Sequence, residues 1–209
     1  MENNELKHIA VAGNIGAGKT TLTSLLAKHY NWDAHYEQVD DNPYINDFYQ
    51  DMKHWSFHMQ IFFMNQRYRQ TFEFRKRNRP VIQDRTIYED AFIFAPNLYE
   101  MGLMTERDFI TYRMLFETIE PHIQPPDLLI YLKASIPTLV EQIQKRGREY
   151  EDSLRLDYLK KLNTRYDQFI ETYKNRLLII DVDTLNFADK QEDLGEIINR
   201  IESERVGLF

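Results

Sequence analysis

The sequence has no cysteine in 209 residues. That removes disulfides, thiolate nucleophiles and cysteine-ligated zinc together. Positive charge is also in short supply, with 26 Lys and Arg against 33 Asp and Glu and a formal net charge of -7. Such a balance argues against general coating of DNA or RNA, although a local cationic cluster can still hold a small polyphosphate. No apolar run approaches the roughly 20 residues that a membrane span needs. The opening Met1-Glu2-Asn3-Asn4-Glu5 lacks the basic region and apolar segment of a signal peptide. The expectation is a cytoplasmic protein that engages neither a membrane nor a nucleic acid polymer. Repeats, low-complexity tracts and Gly/Ser linkers are missing as well. At roughly 100–200 residues per domain, residues 1–209 read as one domain.

What is present is a foldable mixture, 43% hydrophobic and 28% charged, outside the range of disordered chains. Aromatics reach 13%, from 13 Phe, 13 Tyr and 2 Trp. This fits either a Phe/Tyr-rich core or a pocket that stacks on flat ligands. Short apolar runs read as strands at His8–Ala12, Pro80–Gln83, Leu128–Leu132 and Leu177–Ile180, with a weaker one at Trp32–Tyr36. Near-continuous runs of this kind mark parallel strands covered on both faces. Between them, apolar residues recur at helical spacing: Leu22, Leu25, Leu26 and Tyr30; Ile136, Leu139, Val140 and Ile143; Leu159, Leu162, Tyr166, Phe169, Ile170 and Tyr173; Leu194, Ile197, Ile198 and Ile201. Pro137 opens the second of these helices and Gly147 follows its end. Strands alternating with helices predict a doubly wound α/β fold with a parallel sheet. Residues 55–79 and 90–120 hold more helix than a minimal crossover needs.

Gly13-Asn14-Ile15-Gly16-Ala17-Gly18-Lys19-Thr20 fits the phosphate-loop pattern G-x-x-x-x-G-K-[ST] between a strand and an amphipathic helix. Glycines let backbone N–H groups turn inward on phosphate oxygens, and the helix N-terminus adds partial positive charge. Lys19 would bridge the terminal phosphates, Thr21 would add to the cradle, and the Thr20 hydroxyl would hold Mg²⁺. A chance match in a chain this long has odds of roughly one in a hundred. A nucleoside triphosphate is therefore the expected ligand. Neither the Asn-Lys-x-Asp of GTPases nor the Asp-Glu strand end of remodelling ATPases is present. Instead Val81-Ile82 runs into Asp84-Arg85-Thr86, and Glu37 follows the second candidate strand. Ligands of doubly wound sheets bind at the C-terminal strand ends, so Gly13, Glu37 and Asp84-Arg85 should meet in one crevice.

Five features in order then resemble the deoxynucleoside kinase family, which includes deoxycytidine, deoxyguanosine, deoxyadenosine and mitochondrial thymidine kinases. They are the phosphate loop; Tyr36-Glu37-Gln38-Val39; Trp55 with Gln60 and Arg67; Asp84-Arg85-Thr86; and Lys145-Arg146-Gly147-Arg148 with Glu151. Asp41-Asn42-Pro43-Tyr44 and the Asp-Arg-Thr form bring the bacterial purine kinases nearest. The resemblance implies a P-loop kinase fold, a five-stranded parallel sheet flanked by helices, with an arginine-containing lid at about 145–152. It also implies ATP as phosphate donor with Mg²⁺, and a homodimer packed through the extra helices.

By the same resemblance Glu37 is the general base toward the sugar 5′-hydroxyl, and Arg85 holds Glu37 and the 5′-oxygen region. Asp84 reaches Mg²⁺ through water. Arg146 and Arg148 close over the phosphates with Lys19, and Glu151 with Tyr49 holds the sugar 3′-hydroxyl. Where relatives carry another lid arginine this chain has Gln142, with Lys145 as the candidate substitute. Gln60 and Arg67, seven apart, project within about 20° of each other on a helix, with Phe63 and Met64 on that face. In the family Gln60 meets the base edge, the base stacks on Phe94, and Arg67 pairs with Asp90. That pair accompanies deoxycytidine or purine substrates in relatives, so a purine deoxynucleoside is expected, deoxycytidine next and thymidine last. The rivals are a thymidylate-type nucleoside monophosphate kinase and a nucleotide-binding regulatory protein without turnover. His54 and His58 read as surface or hinge residues, and His8, His29, His35 and His122 are scattered.

Overall fold

The computed structural model describes residues 6–37, 39, 41–77 and 79–206. Met1–Glu5 and Gln38 lie outside the described residues. The elements run β1 (His8–Gly13), α1 (Lys19–Tyr30), β2 (Asp33–His35), α2 (Ile45–Gln50), α3 (Met52–Arg77), β3 (Val81–Asp84) and α4 (Ile87–Glu89). A π-helical segment, Asp90–Phe94, joins α4 to α5 (Ala95–Glu100). Then follow α6 (Glu106–Ile119), β4 (Leu128–Lys133), α7 (Ile136–Arg146), a 3₁₀ turn at Glu149–Ser153, α8 (Leu156–Thr172), β5 (Leu177–Asp181) and α9 (Gln191–Val206).

The five strands form one parallel sheet in the order β2-β3-β1-β4-β5. All five lie where the apolar runs predict them, with two shifts. β2 is only Asp33–His35, so Tyr36 and Glu37 are loop. β3 starts at Val81 and reaches Asp84: Pro80 has no N–H for the ladder, though its carbonyl accepts from Asp33 N at 3.1 Å. Val11 pairs with Asp84, and Arg85 N donates to Val11 O at 3.0 Å. The third motif is thereby placed beside the start of the phosphate loop.

β1 and β4 are covered on both faces, and Ile9, Val11, Leu128 and Ile130 have no exposed surface. Each such side chain contributes about 1.5–3 kcal/mol by burial. The edge strand β5 differs from the two-sided expectation: Ile179 is 41% exposed, and its carbonyl accepts from Arg200 Nη2 of α9 at 2.6 Å. One core lies between the sheet and α1, α7 and α9, around Leu22, Leu26, Leu139, Ile197 and Ile201. The other is rich in aromatics and gathers Phe48, Phe63, Phe94, Tyr112, Tyr158 and Tyr166 from α2, α3, the π-helical segment, α6 and α8. Among the described residues, no helix is long and apolar enough to cross a membrane. His54 and His58 are exposed on α3 with near-parallel rings 6.1 Å apart.

Candidate active site

The loop between β1 and α1 turns on left-handed glycines. Gly16 has φ 86 and Gly18 φ 91, values that L side chains adopt only with strain. A Cβ at Gly16 would also lie 2.8 Å from Leu139 O and from Ile143 Cγ1 of α7. Asn14 anchors the loop to α8, because its Nδ2 donates to Leu159 O and Asn163 Oδ1, both at 3.1 Å. Lys19 folds back, buried, and donates from Nζ to Asn14 O at 2.9 Å. Burial, and then the neighbouring Arg85, lower the Lys19 pKa to about 8 against the pull of Asp84, Glu37 and Glu89.

Beside this loop the structure brings together a cluster of buried charges. Arg67 of α3 has no exposed surface. Its Nη2 donates to Glu37 Oε1 at 2.7 Å, while its Nε lies against Asp90 Oδ2. Arg85 Nε stands 3.6 Å from the other Glu37 oxygen, and its guanidinium covers the Phe94 ring at 4.2 Å. Burial would raise the Glu37 pKa, but Arg85, Arg67 and Lys19 outweigh it and bring it down to about 2. Asp90 goes the other way: burial exceeds the attraction of Arg67 and Arg85 and raises it to about 6. Arg85 itself has φ 67, a left-handed conformation that costs a non-glycine residue about 1–2 kcal/mol.

Asp84 Oδ2 accepts from Thr20 Oγ1 at 2.6 Å. Its Oδ1 is buried with no hydrogen-bond partner, and burial raises its pKa. A hydroxyl and a carboxylate with one oxygen unused are hard oxygen donors that suit Mg²⁺ alongside phosphates.

One cleft is walled by Lys19, Thr20, Glu37, Tyr49, Gln60, Phe63, Arg85, Asp90, Phe94, Arg146, Arg148 and Glu151. Gln60 is 1% exposed and its Oε1 has no hydrogen-bond partner. Tyr49 stacks on Tyr150 at 5.4 Å. Arg67 is not on this wall, so it stands behind Glu37 and Asp90 rather than at the cleft surface. Arg146 is held by Glu151, with Nε 3.2 Å from Oε2, and Arg148 Nη1 lies 3.9 Å from the same carboxylate. The charged run at 145–151 is thus no simple solvated helix end. Lys145, the expected substitute for a lid arginine, is exposed and pairs with Asp189 at 3.9 Å. It lines a second hollow with Gly18, Thr21, Gln142 and Phe187.

Sequence reasoning missed that hollow, because Phe187 sits in a loop with no motif. It also missed Phe48, Met59, Tyr150 and Tyr158 of the cleft wall, which look like any apolar residue in the chain. Glu89 was missed although Thr86-x-x-Glu89 is a readable capping box.

The family model described as "Deoxynucleoside kinase" matches residues 9–206. The deoxyadenosine/deoxycytidine kinase of Bacillus subtilis (strain 168) is 38% identical over 91% of this chain and 90% of that protein. The deoxyadenosine kinase of Dictyostelium discoideum is 38% identical over 95% of this chain and 80% of its own length. The solved structure of deoxyadenosine kinase from M.mycoides with bound dATP superposes with a TM-score of 0.81 at 29% identity, covering 93% of this chain and 99% of that one.

Proposed function

This chain belongs to the deoxynucleoside kinase family and has its P-loop kinase fold, and from that premise we propose that it transfers the γ-phosphate of ATP to the 5′-hydroxyl of a purine deoxynucleoside, deoxyadenosine first. The relatives support the purine, since those at 33–38% identity include kinases of deoxyadenosine and of deoxyguanosine. The observation that carries the reading is Glu37, an ionised carboxylate held by two buried guanidiniums in the same cleft as Lys19. A carboxylate there accepts a proton from a neutral alcohol and repels an acceptor that already bears a 5′-phosphate. That disfavours a monophosphate kinase. A protein without turnover would have no use for it.

The nucleoside lies with its base between Gln60 and Phe94, its edge facing Gln60 Oε1 and Asp90. That unpaired amide oxygen suits an exocyclic amino donor such as adenine's. Tyr49 and Glu151 hold the sugar 3′-hydroxyl. The 5′-hydroxyl meets Glu37, and Arg85 steadies the oxygen as it attacks. Gly13–Thr21 receive the donor phosphates, with Lys19 on the terminal ones and Arg146 and Arg148 closing from the lid. Arrival of sugar and phosphate exchanges the Arg146–Glu151 pair for one contact with each. The hollow beside Gly18 and Phe187 takes the donor's base. Thr20 and Asp84 would hold Mg²⁺, and the ion would neutralise charge on the phosphates.

Ile110 and Met114 on α6, 50% and 62% exposed, and Phe72 on α3, 43% exposed, support a homodimer through these helices. The cytoplasm, where ATP meets salvaged deoxynucleosides, is the matching compartment. The test is a coupled assay with ATP and each of the four deoxynucleosides and their monophosphates. Deoxyadenosine should give the highest kcat/KM, with deoxyguanosine next; a higher value for deoxyguanosine would overturn that ranking, and phosphorylation of monophosphates alone, or no turnover, would overturn the reading.

A further inference from the structure

Glu89 has no exposed surface and does not line the cleft, yet it collects hydrogen bonds from three separate parts of the site. Its Oε2 accepts from Thr86 N at 2.8 Å and Thr86 Oγ1 at 3.4 Å. Its Oε1 accepts from Tyr166 OH of α8 at 2.8 Å and from Gly13 N at 3.4 Å. Gly13 is the first residue of the phosphate loop, and Thr86 directly follows Arg85. The same helix α8 also fixes Asn14 through Leu159 and Asn163. A helix needs only the Thr86 half of this arrangement for its cap. The other oxygen reaches across to the loop that would receive the donor.

We propose that Glu89 is a positioning residue for phosphoryl transfer, holding Arg85 and the entry of the phosphate loop at a fixed separation without touching either substrate. Arg85 is in a left-handed conformation that the chain does not adopt unforced. The bond that Arg85 N donates to Val11 O secures one side of it, and the Thr86 N–H that donates to Glu89 secures the other. With Thr86 free, the backbone relaxes and the guanidinium leaves Phe94 and Glu37. Only a carboxylate serves both ends, because each of its oxygens accepts. A glutamine offers one acceptor and turns its NH₂ toward the remaining N–H, so either Gly13 N or Thr86 N loses its partner. Glu89→Gln therefore keeps the volume and breaks the link.

The inference rests on the reading of Glu37 and Arg85 given above, and its test separates the two. Steady-state rates with ATP and deoxyadenosine are expressed per competent site, with sites counted by calorimetric titration with ATP. Glu89→Gln should lower kcat about 10- to 100-fold, as expected for a misplacement of the order of 1 Å, with both KM values nearly unchanged. Tyr166→Phe, which removes one donor to Oε1, should cause a smaller fall of about threefold with the same split. A purely architectural role would reduce the number of competent sites and leave kcat per site intact, and that result would overturn the proposal. If Glu89→Gln does not fold, parent kcat per site in Tyr166→Phe has the same force. Glu37→Gln is measured in parallel. Loss of turnover there with full activity in Glu89→Gln sinks only the positioning role, whereas full activity in Glu37→Gln sinks the reading beneath it.

Discussion

Replacing Glu37 by glutamine keeps the side chain's size and removes its charge, so the outcome follows from electrostatics rather than packing. Arg67 keeps Asp90 as a partner, and the new amide oxygen can still accept from it. Arg85 retains the Phe94 face but loses its only carboxylate within 4 Å among the described ion pairs. Loss of a general base costs about 10²–10⁴ in rate, equivalent to about 3–5 kcal/mol at 1.36 kcal/mol per decade. A coupled assay of ADP release with deoxyadenosine should show that fall in kcat while calorimetry shows ATP bound as in the parent. Stability gives a second, independent reading. The Glu37 pKa is lowered from 4.5 to about 2, worth on the order of 3 kcal/mol by linkage. Because the folded value is depressed, that contribution is present above about pH 4.5 and is lost as pH falls toward 2. Urea denaturation should therefore find the parent more stable than the variant at pH 6, with the gap closing below pH 4.5. A folded, ATP-binding variant whose kcat lies within tenfold of the parent would refute the proton-acceptor role.

Three further outcomes are expected. Lys19 titrates near 8 in the free protein and binds phosphate only when protonated, so kcat/KM for ATP should decline above about pH 8; a flat profile to pH 9.5 would contradict it. The kcat limb should lie higher, because bound phosphates stabilise the ammonium. Gly16→Ala should weaken ATP binding at least about tenfold by calorimetry, since its φ is strained and its methyl would press on Leu139 O; parent affinity would mean that the loop yields freely. Arg67→Met combined with Asp90→Ala should raise the thymidine/deoxyadenosine ratio of kcat/KM. It should also depress kcat on every substrate, because Arg67 holds Glu37 as well; an unchanged ratio removes the pair from base choice.

The elements whose information is local were readable before the fold was known. The phosphate loop is eight consecutive residues, and the flanking Ile9–Ala12 declares a strand as a short apolar run while Leu22–Leu26 declares a helix by its spacing. Glu37 and Arg85 were legible because each follows closely on a strand whose C-terminal end the sheet delivers to one crevice. The link between Glu37 and Arg67 was not, since 30 residues separate them and only the tertiary fold joins them. The π-helical turn at Asp90–Phe94 was equally hidden: Asp-Ala-Phe-Ile-Phe has the apolar content of any buried helix, and its widened winding depends on what packs around it. The aromatic surplus divides between the core, with Tyr112 and Tyr166 buried, and the cleft wall, with Phe63 and Phe94.

The sheet's outer margin bears on how the protein keeps to itself in a crowded solution. β5 ends the sheet with Ile179 partly bare, a row to which a stray extended segment could stitch itself. Arg200 occupies the Ile179 carbonyl, so an invading strand would have to evict a guanidinium before making its first rung. One cation on the last helix thus discourages fibrous growth from this edge.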